Sequence, residues 1–149
     1  MRCETADRKT VNLPEDTKGK YTFIGMAYSE KAEENLRSWY QPIYNKFIAK
    51  TGLMDSDYDV NICFVPMFTG GKKALKNSAI SELIKSDNAE LHPYILFYAG
   101  ELDFYKTNLN LIDKDKPYFF LLDKNGIVIF SEKGQFSEGK LERVEELIN

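Results

Sequence analysis

The sequence predicts one α/β domain in which short strands alternate with helices around a mixed β-sheet. Two strand–helix units follow each other early in the chain, an asparagine–glycine turn joins two later strands, and an amphipathic helix comes last. Consecutive strand–helix units favour parallel strands with right-handed crossovers, whereas a tight turn makes its two strands antiparallel. The predicted order is therefore β-α-β-α, a connector, then β-β-α.

Length and composition agree with a single hydrophobic core. The chain has 149 residues, of which 43% are hydrophobic and 13% aromatic. A domain of this size buries roughly 70% of its unfolded surface, so it needs neither metals nor disulfides to fold. Residues 1–18 are polar, and we expect a loose N-terminal lead-in there, followed by one domain over 19–149.

The first unit combines a strand over 21–27 with a helix that begins after Ser29. Ser29 has the side chain of a helix N-cap, and the glutamates after it suit the positive end of a helix dipole. Pro42 should kink this helix and Gly52 should end it. Its apolar stripe, at steps of three and four residues, consists of Leu36, Trp39, Tyr40, Ile43, Tyr44, Phe47 and Ile48. We interpret these aromatic residues as core rather than as a recognition patch.

The second unit begins with an almost wholly apolar strand over 60–65, which is typical of a sheet covered on both faces. Pro66 should end this strand, and 69–71 should form the loop to the second helix. The connector is predicted as a short strand over 94–99 and a short helical or turn segment over 102–109. The apolar stripe of the second helix is Leu75, Ala79, Ile80, Leu83 and Ile84.

The C-terminal third predicts a hairpin and a closing helix. Strands over 118–122 and 127–130 flank a turn that contains Asn125 and Gly126, the strongest short hairpin signal. Apolar residues at helical spacing follow from Glu138 to the end of the chain.

Charge and cysteine content exclude several function classes. The net charge is −3, so no broad positive field attracts nucleic acid. No stretch has the apolar length of a membrane-spanning helix, and we expect neither a metal nor a cofactor, because His92 is the only histidine. His92, followed by a proline, is predicted to lie in an extended approach to a strand. An extracytoplasmic location, periplasmic or lipid-anchored, and a cytoplasmic one are both left open.

Two segments resemble the thioredoxin-like superfamily, in particular its thiol-disulfide oxidoreductase and peroxiredoxin branch. Gly-Lys-Tyr-Thr-Phe-Ile-Gly over 19–25 looks like the lead-in to the first core strand of that branch. Lys-Pro-Tyr-Phe-Phe-Leu-Leu-Asp-Lys-Asn-Gly-Ile-Val over 116–128 looks like its hairpin. The resemblance implies a three-layer α/β/α sandwich with a central mixed sheet, and it implies a cis peptide bond before Pro117.

The redox motif of that branch is missing from this sequence. Its redox members place a CxxC, and its peroxiredoxins a single cysteine, where the first core strand meets the first helix. Here that junction reads Ala-Tyr-Ser-Glu-Lys-Ala-Glu-Glu-Asn-Leu-Arg over 27–37. Alignment by the strand puts Lys31 and Glu34 at the cysteine positions, and alignment by Pro42 puts Glu34 and Arg37 there. Neither register contains the thiolate that disulfide exchange requires.

A second resemblance is to the thioredoxin-like family of mitochondrial ATP synthase assembly factors. It rests on Ser38-Trp39 with Pro42, on Phe-Tyr-Ala-Gly-Glu-Leu over 97–102, and on Leu109 ahead of the strand at 118–123. The resemblance implies that such a domain can serve in assembly without active cysteines.

The sequence therefore predicts a redox-inactive binding, scaffold or assembly module for an unknown protein or peptide partner. The alternative is a thiol-dependent oxidoreductase or peroxidase that uses Cys63 or Cys3. Cys63 is predicted to be a buried structural thiol, whereas Cys3, on the lead-in, could carry a lipid tether. The predicted binding residues line the groove where redox relatives are active, and they are Tyr28, Ser29, Glu30, Lys31, Glu34, Lys116, Pro117 and Tyr118.

Overall fold

The computed structural model describes residues 1–49, 59–86 and 88–148, which contain seven strands and five α-helices. The strands are β1 (Arg2–Glu4), β2 (Thr10–Asn12), β3 (Tyr21–Ala27), β4 (Val60–Thr69), β5 (Tyr98–Gly100), β6 (Tyr118–Leu122) and β7 (Val128–Lys133). The helices are α1 (Glu30–Arg37), α2 (Tyr40–Ile43), α3 (Lys76–Lys85), α4 (Asp103–Asn108) and α5 (Glu138–Ile148). A π-turn over Tyr44–Ile48 and 3₁₀ turns over Glu15–Thr17, Gly70–Leu75 and Ala89–Tyr94 complete the order.

Five strands form a mixed sheet in the order β5-β4-β3-β6-β7. β3, β4 and β5 run parallel, β6 pairs antiparallel with β3, and β7 pairs antiparallel with β6. Gly126, with a φ of +81°, takes the left-handed conformation that the predicted hairpin turn requires. The mixed sheet with helices confirms the fold class that the sequence implies.

Alternate residues of the strands enter two separate apolar clusters, one on each face of the sheet. The helical face contains buried side chains from α1, α2, α3 and α5. The opposite face is covered by the β1–β2 hairpin and by α4, which contributes Tyr105. In β4, Phe64 belongs to the cluster on the helical face. Its neighbour Cys63 belongs to the cluster on the face covered by the β1–β2 hairpin, which we call the hairpin face. Successive side chains of a strand point to opposite faces of the sheet, which explains why these two neighbours belong to different clusters.

The first helix is shorter than its apolar stripe predicts. Ser29 caps α1 as expected, since its Oγ accepts a hydrogen bond of 3.1 Å from the backbone N–H of Ala32. The helix is interrupted at Ser38 and Trp39 before α2 begins. Pro42 has no N–H to donate to the carbonyl of Ser38, so a regular helix cannot pass through this point. The predicted stop at Gly52 lies outside the described residues.

β4 is longer than predicted, because it continues through Pro66 to Thr69. The ladder between β4 and β3 ends at the pair formed by Pro66 and Ala27. The ladder between β4 and β5 begins at Met67. The proline therefore lies where the strand changes partner, so it does not end the strand.

The N-terminal residues are ordered on the sheet, in contrast to the loose lead-in that their composition predicts. β1 and β2 form an antiparallel hairpin. Glu4 and Phe97 exchange two backbone hydrogen bonds, of 2.9 and 2.8 Å, which join the hairpin to the segment before β5. Cys3 and Leu13 are each only 3% exposed. Backbone pairing and two apolar anchors therefore hold this polar segment against the sheet. The division of the chain into a lead-in over 1–18 and a domain over 19–149 stays a prediction.

The remaining elements lie close to their predicted positions, except that β5 overlaps the strand predicted over 94–99 only at residues 98 and 99. The connector also contains α4, and the last helix is α5, with Leu141 and Val144 buried. Only Ile80 of the α3 stripe is fully buried, while Leu75 and Ile84 are more than half exposed. Within the described ranges, no helix has the length and apolar character needed to cross a bilayer.

Candidate binding site at the start of the first helix

The predicted groove residues surround the connection between β3 and α1. β3 ends at Ala27, and Tyr28 and Ser29 lead into the first turn of the helix, where Glu30 and Glu33 provide negative charge. These carboxylates lie near the positive end of the helix dipole, which favours them. The site is therefore positioned by the end of a buried parallel strand.

Two hydrogen bonds join this helix start to the loop before β6. The hydroxyl of Tyr28 donates to the carbonyl oxygen of Leu111, and the hydroxyl of Ser29 donates to that of Lys114. Burial, with Tyr118 and Asp113 nearby, raises the pKa of Tyr28, so this phenol stays protonated. The two sides of the predicted groove thus touch directly along this line.

The predicted residues divide into a surface group and a buried group. Glu30, Lys31, Glu34 and Lys116 are exposed, and Tyr28 and Ser29 are partly buried. Pro117 and Tyr118 are buried, with Tyr118 only 7% exposed. The hydroxyl of Tyr118 accepts a hydrogen bond of 2.7 Å from the backbone N–H of Asp113. The structure brings all eight residues to one region, but the last two lie beneath its surface.

The peptide bond before Pro117 is trans, contrary to what the resemblance implies. Among the described residues the cis bond is Leu13–Pro14. The loop that contains Pro117 forms a turn in which Lys116 N–H donates to the carbonyl of Asp113 at 3.3 Å. Trans is the lower-energy isomer of an X-Pro bond by about 0.5–1 kcal/mol, and this turn accommodates it.

Both cysteines lie on the face of the sheet opposite α1. Cys3 is 3% exposed and Cys63 is 4% exposed, and both belong to the hairpin-face cluster, whereas Ala32 and Leu36 of α1 belong to the other. Both thiols are free. Burial raises the pKa of each thiol to about 12, and the neighbouring Cys3 adds to the effect on Cys63. A lipid tether at Cys3 is not tested by these observations and stays a prediction.

His92 lies in a 3₁₀ turn and not in the extended segment that the sequence predicts. Pro93 lies in the same turn, because its fixed φ is compatible with helical geometry. The ring atom Nε2 of His92 is 3.3 Å from the hydroxyl oxygen of Ser86. Within the described ranges, no group of three or more histidine, cysteine, aspartate or glutamate side chains is placed to hold a metal ion.

The open concavity at the helix start lies on its other side, between α1 and α3. This α1–α3 groove has a volume of about 380 Å³. It shares Tyr28, Ser29, Glu30 and Glu34 with the predicted site but excludes the loop before β6. The residues that sequence reasoning missed are Ala27, Glu33, Arg37, Met67, Phe68, Lys72, Leu75, Ser78, Ala79 and Glu82. The available signal was that ligands in α/β sheets bind beyond the carboxyl ends of parallel strands, here β3 and β4.

Comparison with known proteins gives matches in structure alone. No protein-family model matches the chain, and no curated protein matches its sequence. StoA from Bacillus subtilis is 14% identical, with a TM-score of 0.61, and the match covers 96% of this chain and 93% of that one. The pneumococcal exposed lipoprotein thioredoxin Etrx1, from Streptococcus pneumoniae strain TIGR4, is 17% identical, with a TM-score of 0.61 and 98% of each chain covered.

A third structural neighbour is BsSco, a member of the Sco family of cytochrome c oxidase assembly proteins. It is 14% identical, with a TM-score of 0.59, and the match covers 99% of this chain and 89% of that one. At sequence identities this low, a structural match shows that two proteins share a fold but does not show that they share an activity. The resemblance to mitochondrial ATP synthase assembly factors is tested by none of these matches and stays a prediction. The three neighbours confirm that this chain has the thioredoxin-like fold implied by residues 19–25 and 116–128.

Proposed function

We propose that this domain is a redox-inactive binding or assembly module that engages a protein or peptide partner at the start of α1. The observation that carries the proposal is the position of the two thiols. Cys63 is buried beneath the β1–β2 hairpin and Cys3 is a buried residue of that hairpin, and the strand–helix junction carries Ser29, Glu30 and Lys31 instead. A surface with hydroxyl, carboxylate and ammonium groups can bind a partner but cannot exchange disulfides.

The acidity of the thiols argues against the alternative of a thiol-dependent oxidoreductase or peroxidase. The thiolate is the reactive form of cysteine. With a pKa of about 12, only roughly one thiol in 10⁵ is ionised at neutral pH. Burial to 3% and 4% exposure also keeps a disulfide substrate from reaching either sulfur atom.

The partner-binding role is further supported by the surface of the site and by one structural neighbour. Glu30, Lys31, Glu34 and Lys116 project from two segments that are joined by the Ser29–Lys114 hydrogen bond. This contact holds the exposed side chains on a preorganised surface, which lowers the entropy cost of binding. BsSco, with the same fold, belongs to a family described as assembly proteins.

The first test measures insulin reduction and peroxide turnover by the intact chain. We expect turnover at the level of the buffer control, for the wild-type protein and for the Cys3→Ser/Cys63→Ser variant alike. Turnover by the wild type that disappears in the variant would contradict the proposal and establish the thiol-dependent alternative.

The second test asks whether the predicted surface carries the binding. Partners captured by the wild-type chain are compared, by quantitative mass spectrometry, with those captured by Glu30→Lys/Glu34→Lys. The matched control is Glu142→Lys/Glu146→Lys, which reverses two exposed charges on α5. Specific partners should be lost from the first variant and retained by the control. Equal capture by all three proteins would contradict the assignment of this surface.

A further inference from the structure

The α1–α3 groove combines an apolar floor with an acidic rim. Its floor is formed where β3 and β4 end, by Ala27 and Phe68, and Ala79 of α3 lies beside them. Leu75, which precedes α3, also lines the groove and is 54% exposed. A volume of about 380 Å³ falls in the range of roughly 300–1,000 Å³ that is usual for ligand sites.

The charges that line the groove are predominantly negative. Four carboxylates face two cations, Arg37 and Lys72. Arg37 is engaged by Glu33 through an ion pair of 3.0 Å. Within the described part of the chain, Glu30, Glu34 and Glu82 have no ion-pair partner. With four carboxylates and two cations, the rim of the apolar floor carries a formal net charge of −2.

Helix stability accounts for part of this charge but leaves Glu82 unexplained. Glu30 lies in the first turn of α1, where the dipole favours a carboxylate, whereas Glu34 lies in the next turn. Glu82 lies in the last turn of α3, which ends at Lys85, and there the dipole disfavours a negative charge. Its position opposite the α1 carboxylates is the arrangement expected if the two helices contact one cationic ligand.

We propose that the α1–α3 groove docks an extended segment of a partner protein in which an apolar side chain is flanked by lysine or arginine. The apolar side chain would contact Phe68 and Leu75, and the flanking cations would pair with Glu34 and Glu82. The inference rests on the proposed function, because it specifies the chemistry of the partner of that module. An acidic rim repels nucleic acids and anionic membranes, so charge complementarity favours a basic protein segment.

The test is binding of a fluorescein-labelled peptide of alternating lysine and leucine to the intact chain, followed by fluorescence anisotropy. Two reference peptides replace lysine by glutamate or leucine by serine. We expect the lysine–leucine peptide to bind at least about tenfold more tightly than either reference peptide. The variant Glu30→Gln/Glu34→Gln/Glu82→Gln should weaken its binding by about tenfold, since each exposed ion pair contributes modestly.

The control variant, Glu138→Gln/Glu142→Gln/Glu146→Gln, removes the same number of exposed charges from α5. It should change the affinity less than about twofold, because these charges are outside the groove and are screened by salt. Leu75→Ser, at an exposed position, should weaken binding without lowering the melting temperature. Equal losses in the two triple variants, or no binding of the lysine–leucine peptide, would overturn the inference.

Failure of the inference can be told apart from failure of the proposed function. Partners that are lost from Glu30→Lys/Glu34→Lys, together with no binding of the lysine–leucine peptide, would reject the basic segment and leave the binding module standing. Thiol turnover that depends on Cys3 or Cys63 would reject the proposed function whatever the peptide does.

Discussion

The indole Nε1 of Trp39 donates a hydrogen bond of 3.0 Å to the carbonyl oxygen of Gly134. The backbone N–H of Gly134 in turn donates to the carbonyl of Pro117, also at 3.0 Å. These two bonds tie the interruption between α1 and α2 to the end of β7 and to the loop before β6. Trp39 is fully buried and packs on Phe119, with ring centroids 4.1 Å apart. The interruption of the helix therefore places the large side chain of Trp39 in the core on the helical face.

Trp39→Phe should lower the free energy of unfolding by about 2 kcal/mol. The substitution leaves a cavity and removes the donor to the buried carbonyl of Gly134. Trp39 is the only tryptophan, so its replacement removes the fluorescence signal. The change is therefore measured by urea unfolding followed by far-ultraviolet circular dichroism. Phe104→Leu is the control, because Phe104 is 67% exposed, and it should change stability by less than about 0.5 kcal/mol. Equal effects of both substitutions would contradict a core role for Trp39.

Gly25→Ala should destabilise the fold by about 1–3 kcal/mol, because a side chain at this position would overpack the core. An added Cβ would lie 2.7 Å from Cε1 of Phe119 and 2.8 Å from Cδ1 of Leu36. The helix α1 must then move away from β3. Gly71→Ala is the matched control, since no atom lies within 4 Å of its added Cβ. Thermal unfolding of both variants provides the comparison, and a wild-type melting temperature for Gly25→Ala would refute this account of the close contact.

Stability should fall as the pH rises above about 9. Burial raises the pKa of the Cys3 and Cys63 thiols from 9.0 to about 12, so between these values the unfolded chain ionises while the folded chain stays neutral. The contribution of the two neutral thiols to the free energy of unfolding is fully present below pH 9. It declines toward pH 12, by up to about 1.4 kcal/mol per pH unit for each thiol. Burial also raises the pKa of Tyr40, which acts in the same direction.

Urea unfolding at a series of alkaline pH values measures this slope. Cys63→Ala should remove the contribution of one thiol to the slope of unfolding free energy against pH. This holds whatever the substitution does to stability at neutral pH. A slope that is identical in the variant and the wild type would show that the Cys63 thiol is not shielded as the structure describes.

Ser29→Ala should cost about 1 kcal/mol, because it removes the N-cap of α1 together with the bond to the carbonyl of Lys114. Hydrogen exchange should increase at the start of α1 and in the loop over 111–117. Ser29→Thr keeps the hydroxyl and should restore most of the protection. An increase confined to α1 would show that the loop does not depend on this contact.

Sequence patterns predicted the elements well wherever short-range chemistry dominates. The asparagine–glycine turn, the Ser29 cap and the apolar periods of α3 and α5 each depend on residues within a few positions of one another. The patterns failed at Pro66 and in residues 1–18. There the outcome depends on pairing with β3, β5 and Phe97, which is remote in the sequence.

The candidate site could be predicted only in part for the same reason. Its residues at the strand–helix junction follow from the fold and from the missing cysteines. The buried state of Tyr118 and the inclusion of Met67 and Glu82 in the open groove depend on packing between elements. No periodicity within one element contains that information.

The amino-acid sequence alone determined the alternation of strands and helices from β3 onward, the mixed sheet and the absence of sulfur from residues 27–37, because these follow from local periodicity and residue identity. Tertiary structure alone decided that Cys3 and Cys63 share the face opposite α1, that Tyr28 bonds to Leu111, and that the groove opens toward α3. The physical reason is that strand register and helix docking set which side chains meet, and both depend on contacts between residues far apart in the chain.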